Sequence, residues 1–187
     1  LKSLSQLEKW KVYAEAGEVQ PNWKQEGQPH GRYSSEDPCI HNRVVQIRET
    51  IEARPGKVFL SLDLSQAEYV VWASLSKDPL LMSLFENGQD LHQRMWEEIL
   101  EEVPGLELRG DDPRQYGKEI NFAQLYMMRV GTLAGKLGVD HDTAAKINAA
   151  WEARAPLAVE YRGKILDAAW VNGYVRTKFG RTRSVPD

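Results

Sequence analysis

Arg114-Gln-Tyr-Gly-Lys118-Glu-Ile-Asn-Phe122-Ala-Gln-Leu-Tyr126 sets two cations and two aromatic rings at a strict spacing of four. Asp112-Pro113 comes just before it, an N-cap followed by the favoured first helical residue, so a helix is expected to run from here to about Met127. Residues i and i+4 share a helix face, which places Arg114, Lys118, Phe122 and Tyr126 along one stripe. An ordinary amphipathic helix turns its aromatics to the core and its cations to water. A single row of both suits a ligand with a polyphosphate at one end and an aromatic base at the other: cations neutralise phosphate, and ring planes stack on a base or sugar. The same four residues also fit a core-facing Phe and Tyr with Arg and Lys snorkelling beside them. The surrounding sequence decides between the two.

Upstream, Lys57-Val-Phe-Leu-Ser-Leu-Asp63 is a short apolar run with β-formers, expected as a buried strand that ends on a carboxylate. Residues 66 to 76 switch to helical periodicity, with Ala67, Val70, Val71 and Leu75 as the apolar face, and Asp78-Pro79 starts another short helix. Asp90 and Gln93 form a capping box before a helix to Leu100. Downstream, Asp140 caps a helix that stops before Pro156, and a further helix runs from about Leu157 to Val171. Asn172-Gly173 is a two-residue hairpin signal leading into a strand from Tyr174 to Phe179. Toward the start, Leu4, Leu7, Trp10 and Tyr13 recur at helical spacing until Gly17, and residues 18 to 56, broken by Pro and Gly, read as short strands and loops. The pattern is α+β, with helices dominating after residue 64.

The 187 residues, 42% of them hydrophobic, suffice for one domain or two packed lobes. Cys39 is the single cysteine, which excludes an internal disulfide framework, and no Cys/His cluster has zinc spacing. No apolar run reaches the roughly 18 residues of a membrane span. A reducing, cytoplasmic setting is expected, nucleoid-associated or in a phage-infected cell, with an organelle as the alternative. The formal charge of −3 hides a segregation: acids crowd the stretch from Glu86 to Asp112, whereas Arg162, Lys164, Arg176, Lys178, Arg181 and Arg183 make the C-terminal part basic. Such a basic region is compatible with a DNA-contacting face. The chain opens on Leu1, as a segment of something longer would.

Three ordered blocks, Asp63-Leu-Ser-Gln-Ala-Glu68, the Arg114 to Tyr126 helix and Gly173-Tyr-Val through Pro186-Asp187, resemble the motifs of family A (DNA polymerase I-like) DNA polymerases. Gly31-Arg-Tyr-Ser-Ser-Glu-Asp-Pro38 with Asn42, and Asp90-Leu-His92, resemble two further family segments. The resemblance covers nearly the whole chain. It implies a right-hand polymerase fold fragment, with part of an antiparallel palm sheet in residues 1–66 and mainly helical fingers in 67–187. It further implies template-directed DNA synthesis, in which two Mg²⁺ ions, or Mn²⁺, promote transfer of a dNTP to a primer 3′-hydroxyl. Asp63 would bridge both metals, with the Leu64 carbonyl as a further ligand. Glu68 would be the steric gate against ribonucleotides. Arg114, Lys118 and His92 would hold the triphosphate, Arg114 and Lys118 serving catalysis directly; Phe122 would pack on the sugar and Tyr126 at the template side of the nascent pair. Arg32, Asn42, Gln66, Arg181 and Arg183 would contact primer-template DNA.

Leu64 stands where the family has tyrosine, Ala123 and Met127 stand where its fingers helix has glycines, and His30, Cys39 and His41 alter the segment around Asn42. The helix thereby loses backbone freedom. The family's second metal carboxylate, in a His-Asp-Glu motif, has no counterpart up to Asp187. A second polypeptide or a continuation carrying that half of the palm is therefore expected, and the isolated chain is expected to be inactive. The alternative is a noncatalytic DNA- or nucleotide-binding remnant, which would need the basic residues but not Asp63.

Overall fold

The computed structural model describes residues 10–28, 30–40, 49–104, 106 and 112–185. They divide into two compact units, one ending at Asp63 and the other beginning at Leu64. Asn42, assigned to DNA by the resemblance, lies outside the described residues.

In the first unit, residues 10–16 are helical and stop at Gly17, whose φ of 69° is the left-handed geometry that glycine adopts at little cost. Trp10 is buried, with its ring 5.6 Å from that of Tyr13. Strands β1 (Asn22–Lys24) and β2 (Ser34–Glu36) pair antiparallel, with Trp23 opposite Ser35. The Lys24 ammonium reaches the Glu36 carboxylate diagonally across the pair at 2.6 Å.

The expected strand at 57–63 does not form. The segment carries no ladder hydrogen bonds, and Val58, Phe59, Leu60 and Leu62 are all strongly exposed. A strand is stable only where its N–H and C=O groups find a neighbour, and among the described residues each sheet is a single antiparallel pair that does not include this run.

The second unit is a helical body: α1 (Ala67–Ser76), α2 (Pro79–Glu86), α3 (Leu91–Glu102), α4 (Pro113–Leu125), α5 (Val130–Leu137), α6 (His141–Arg154) and α7 (Pro156–Asn172). Strands β3 (Tyr174–Arg176) and β4 (Thr182–Ser184) follow as an antiparallel hairpin. Aspartates start four of the helices as expected. Asp90, Asp112 and Asp140 accept hydrogen bonds from the backbone N–H of Gln93, Gln115 and Thr143. The Asp90 box is one-sided, because the Gln93 amide donates forward to Glu97 (2.9 Å).

Asp78 caps twice. One carboxylate oxygen accepts from the N–H groups of Leu80 and Leu81 at the start of α2; the other accepts from Leu157 and Ala158 at the start of α7. This fully buried carboxylate thus satisfies two helix N-termini far apart in sequence and welds α2 to α7.

The core faces differ from expectation in one helix. On α1 the buried residues are Tyr69, Trp72 and Ala73, while Val70, Val71 and Leu75 are exposed. Tyr69 and Trp72 bring more apolar area than the aliphatics, and each finds an acceptor inside: the Asn121 carbonyl for the phenol and the Ala158 carbonyl, 3.1 Å away, for the indole. Asn172-Gly173 is not a hairpin turn. Gly173 ends α7 with φ 69°, and the Asn172 amide donates back to Ala168 O (2.8 Å). The chain reverses at Thr177–Arg181 instead, where Thr177 N–H donates to Arg181 O and Gly180 N–H to Thr177 O. No helix among the described residues is long and apolar enough to cross a membrane.

Replacing Asp78 by alanine removes caps from two helices and leaves buried donors without acceptors. We expect about 1–4 kcal/mol of lost stability in urea unfolding, roughly twice the usual effect of a single cap. A change below about 0.5 kcal/mol would show that α7 does not depend on this carboxylate.

Candidate functional site

The stripe on α4 forms, and it does not belong wholly to the core. Arg114 and Tyr126 are exposed at its two ends, with Lys118 and Phe122 partly buried between them. The core face of the same helix is one step round, at Gly117, Ile120, Asn121 and Gln124, a 3.6-residue repeat that leaves the stripe to a ligand-accessible flank.

Side chains from other helices extend the row. The Arg114 guanidinium donates through Nε and Nη2 to one oxygen of Asp90 (3.0 and 2.9 Å), the residue that caps α3. His92, in the first turn of α3, is buried with 5% of its surface exposed, its ring 6.0 Å from Phe122 and edge-on to Tyr69. The Lys118 ammonium lies 6.0 Å from the centre of the Phe122 ring. Phe122 stacks on Tyr126 at 5.9 Å with 18° between planes. The Tyr126 hydroxyl, at the C-cap of α4, reaches both oxygens of Glu68 on α1 (2.9 and 2.8 Å). Arg114, Lys118, Phe122, Tyr126 and Glu68 thus form one row, cationic at one end, aromatic in the middle and acidic at the other, with His92 buried beside Phe122.

Two residues not singled out in the sequence bring this surface together. Gly117 lets α4 approach α3 so closely that a Cβ there would overlap the His92 carbonyl oxygen. Asn121 is fully buried. Its carbonyl accepts from the Tyr69 hydroxyl, its amide nitrogen lies 2.8 Å from His92 Nδ1, and its amide oxygen accepts from the Trp151 indole N–H at 2.8 Å. An asparagine on the apolar side of an amphipathic helix was the available signal, since buried polar groups must be paired.

The end of α4 is held as well. Arg162 on α7 donates to the Gln124 backbone carbonyl (2.9 Å) and side-chain oxygen (3.0 Å), and to Glu152 (2.9 Å). This arginine therefore serves the packing of α4 rather than an open basic face. The helix stops at Leu125, short of the expected Met127, which takes up a left-handed φ of 51°. A non-glycine residue there costs on the order of 1 kcal/mol.

Burial pushes the His92 imidazole below its ordinary pKa; Asp90 opposes that shift, while Arg114 and Lys118 reinforce it. For Asp90, burial acts upward, but the hydrogen bonds from Gln93 N–H and Arg114 outweigh it and hold the carboxyl below its usual range.

The remaining predicted residues are placed separately. Gln66 precedes α1 with a left-handed φ of 52°, and its Oε1 is buried without a hydrogen-bond partner. Arg181 and Arg183 stand on the hairpin after α7, with Arg183 opposite Val175. Arg32 and Asp63 belong to the first unit, where Asp63 is exposed; Leu64, also exposed, opens the second. Among the described residues no group of three or more His, Cys, Asp or Glu side chains could hold a metal ion. These residues alone therefore do not fit a two-ion centre, which needs carboxylates beyond Asp63.

The chain matches the family model for DNA polymerase family A over residues 2–187. It is 33% identical over 184 residues to the thermostable DNA polymerase I of Thermus thermophilus, covering 94% of this chain and 22% of that protein. With DNA polymerase I of Deinococcus radiodurans the identity is 31% over 183 residues, covering 94% and 19%. The chain thus spans about a fifth of the length of these curated relatives. Among solved structures it is similar to the POL domain of Pol1 from M. smegmatis in complex with DNA primer-template and dNTP. The TM-score is 0.79 at 25% identity, over 97% of this chain and 34% of that one.

Gly117→Ala should drive α4 away from α3 and cost about 1–3 kcal/mol in chemical denaturation, the usual range for overpacking. Unaltered stability would mean the two helices can separate freely. The His92 shift carries a pH signature. Its folded-state pKa is depressed, so the unfolded chain takes up the proton first and stability falls as pH drops below about 6.5. His92→Gln should flatten that fall between about pH 7 and pH 5 in urea titrations, while the Asp90 contribution, present above about pH 3.9, is lost only at lower pH. An identical acid limb in the variant would assign the loss to other groups.

Proposed function

The chain belongs to DNA polymerase family A, and from that premise we propose that it supplies the nucleotide-binding surface and one metal-binding carboxylate for template-directed DNA synthesis. The observation that carries this is the contact between Tyr126 and Glu68, which closes a row running from cations through stacked rings to an acid. A deoxynucleoside triphosphate has the matching sequence of parts: polyanion, then sugar, then base.

Lys118 and Arg114 neutralise the triphosphate, and His92 offers a further polar contact from α3. Phe122 packs against the sugar. Glu68, held upright by the Tyr126 hydroxyl, occupies the space a 2′-hydroxyl would need, so discrimination against ribonucleotides is steric and does not depend on the base. Tyr126 presents its ring at the template side of the new pair. Arg32, Asn42, Gln66, Arg181 and Arg183 contact the primer-template, positioning the duplex without specifying its sequence.

Asp63 and the Leu64 carbonyl would hold part of a Mg²⁺ centre, whose charge would be supplied at the reacting phosphate and the primer hydroxyl. The second carboxylate comes from outside these residues, on a continuation or another polypeptide, and the isolated chain is inactive without it. This reading goes with a cytoplasmic setting, nucleoid-associated or in a phage-infected cell, or with an organelle.

In the enzyme completed by the rest of the palm, Asp63→Asn should abolish primer extension with primer-template affinity kept within a few-fold. Lys118→Ala should lower kcat/KM for dNTPs by about 10²–10³, and Glu68→Ala should chiefly raise ribonucleotide incorporation. Primer-extension assays with dNTP and rNTP pools measure all three. Extension at the wild-type rate by the Asp63 variant would remove Asp63 from the metal site.

A further inference from the structure

We infer that Trp151 and Asn121 act as a two-residue relay that fixes His92 as a neutral imidazole with its proton on Nε2. An indole N–H can only donate, so the Asn121 amide atom 2.8 Å from Trp151 Nε1 has to be the oxygen. The other end of the amide is then the NH₂ group, and it faces His92 Nδ1 at 2.8 Å. That nitrogen must present a lone pair. The single ring proton is left on Nε2, and protonating Nδ1 would set N–H against N–H in a site that water does not reach, since Asn121 and Trp151 are both fully buried.

The relay is anchored on both sides. Trp151 stacks on Trp72 (5.5 Å, 18°), whose own N–H is taken by the Ala158 carbonyl. The Tyr69 hydroxyl holds the Asn121 carbonyl. Around His92 the charged groups pull in opposite directions: Asp90 favours a protonated ring, while Arg114 and Lys118 oppose it. Burial, the largest influence, keeps the ring neutral, and which nitrogen then carries its proton is set by the hydrogen bond with Asn121. Among the described residues, the buried side-chain polar atoms without a partner are Gln66 Oε1 and Arg154 Nε. His92 Nε2, which makes no hydrogen bond to any of these residues, is thus the ring edge still open to a ligand. Resting on the nucleotide-binding function proposed above, that N–H is the donor directed at the triphosphate, and Trp151 and Asn121 are positioning residues for it. A neutral donor keeps its proton at neutral pH and adds direction where Arg114 and Lys118 add charge.

The test is nitrogen-15 NMR of the imidazole rings in the intact chain near pH 7.5. Wild-type His92 should be a single neutral species, protonated at Nε2 and bare at Nδ1. Trp151→Phe keeps a ring against Trp72 but removes the donor, freeing the amide to turn over, and should yield a mixture of tautomers. Asn121→Asp offers acceptors to both neighbours, so Nδ1 should gain the proton and the His92 pKa should rise by more than about one unit. A wild-type ring protonated at Nδ1 would overturn the relay, and this measurement needs no variant to fold. A folded Asn121→Asp chain with Nδ1 still bare would overturn it too. Titration with dATP and Mg²⁺ separates the two levels of the inference: a wild-type Nε2 resonance that moves on saturation supports both, whereas the stated tautomer with an unmoved Nε2 upholds the relay and removes the nucleotide from this site.

Discussion

The buried amide and carbonyl of Asn121 lie where four helices meet, and every polar atom of that residue's contact set is used: Tyr69 from α1, His92 from α3 and Trp151 from α6 all close on α4 at this point. An unpaired polar group in such a place costs about 1–3 kcal/mol, so alternative arrangements in which one helix slides or rotates are penalised together. Gly117 makes the meeting sterically feasible one turn earlier, by letting the α3 and α4 backbones touch. The stripe from Arg114 to Tyr126 inherits its position from this buried junction. Lys118 and Phe122 each follow a core residue, so any rotation that spoiled the junction would also turn the stripe away.

The two ends of α4 are treated differently. Its start carries Arg114 tied to the α3 cap Asp90, an exposed pair that a polyanion can compete for. Its end is clamped, because Arg162 donates to the Gln124 carbonyl, which the backbone itself reaches only through a tight terminal turn from Met127 N–H at 3.4 Å. Met127 then adopts a backbone conformation in which glycine would be relaxed.

Local chemistry made much of the helical unit readable. Asp78, Asp90, Asp112 and Asp140 stand before helices because a carboxylate can accept from the unpaired N–H groups of a first turn, and that requirement involves only a few neighbouring residues. Where a local signal has two structural solutions, it was not decisive. Gly173 satisfies a positive φ equally well in a hairpin turn or at a helix C-terminus, and the continuation of α7 through Asn172 selects the latter. The choice of Tyr69 and Trp72 over Val70 and Val71 as the buried face of α1 depended on acceptors at Asn121 and Ala158, which lie 52 and 86 residues away along the chain.

The spacing of Arg114, Lys118, Phe122 and Tyr126 by itself determined that cations and rings share one side of a helix, because helical periodicity is a property of the backbone alone. The sequence also carried enough ordered motifs to indicate the polymerase family. Tertiary structure alone decided that Glu68 meets Tyr126, that His92 is buried against Phe122, and that Asn121 rather than a striped residue organises the site. Residues 57–63 make the same division from the other side: their β-forming composition is written in the chain, but a strand exists only when a second strand supplies its hydrogen bonds. Contacts between elements depend on close approach of groups distant in sequence, and no local propensity encodes that approach.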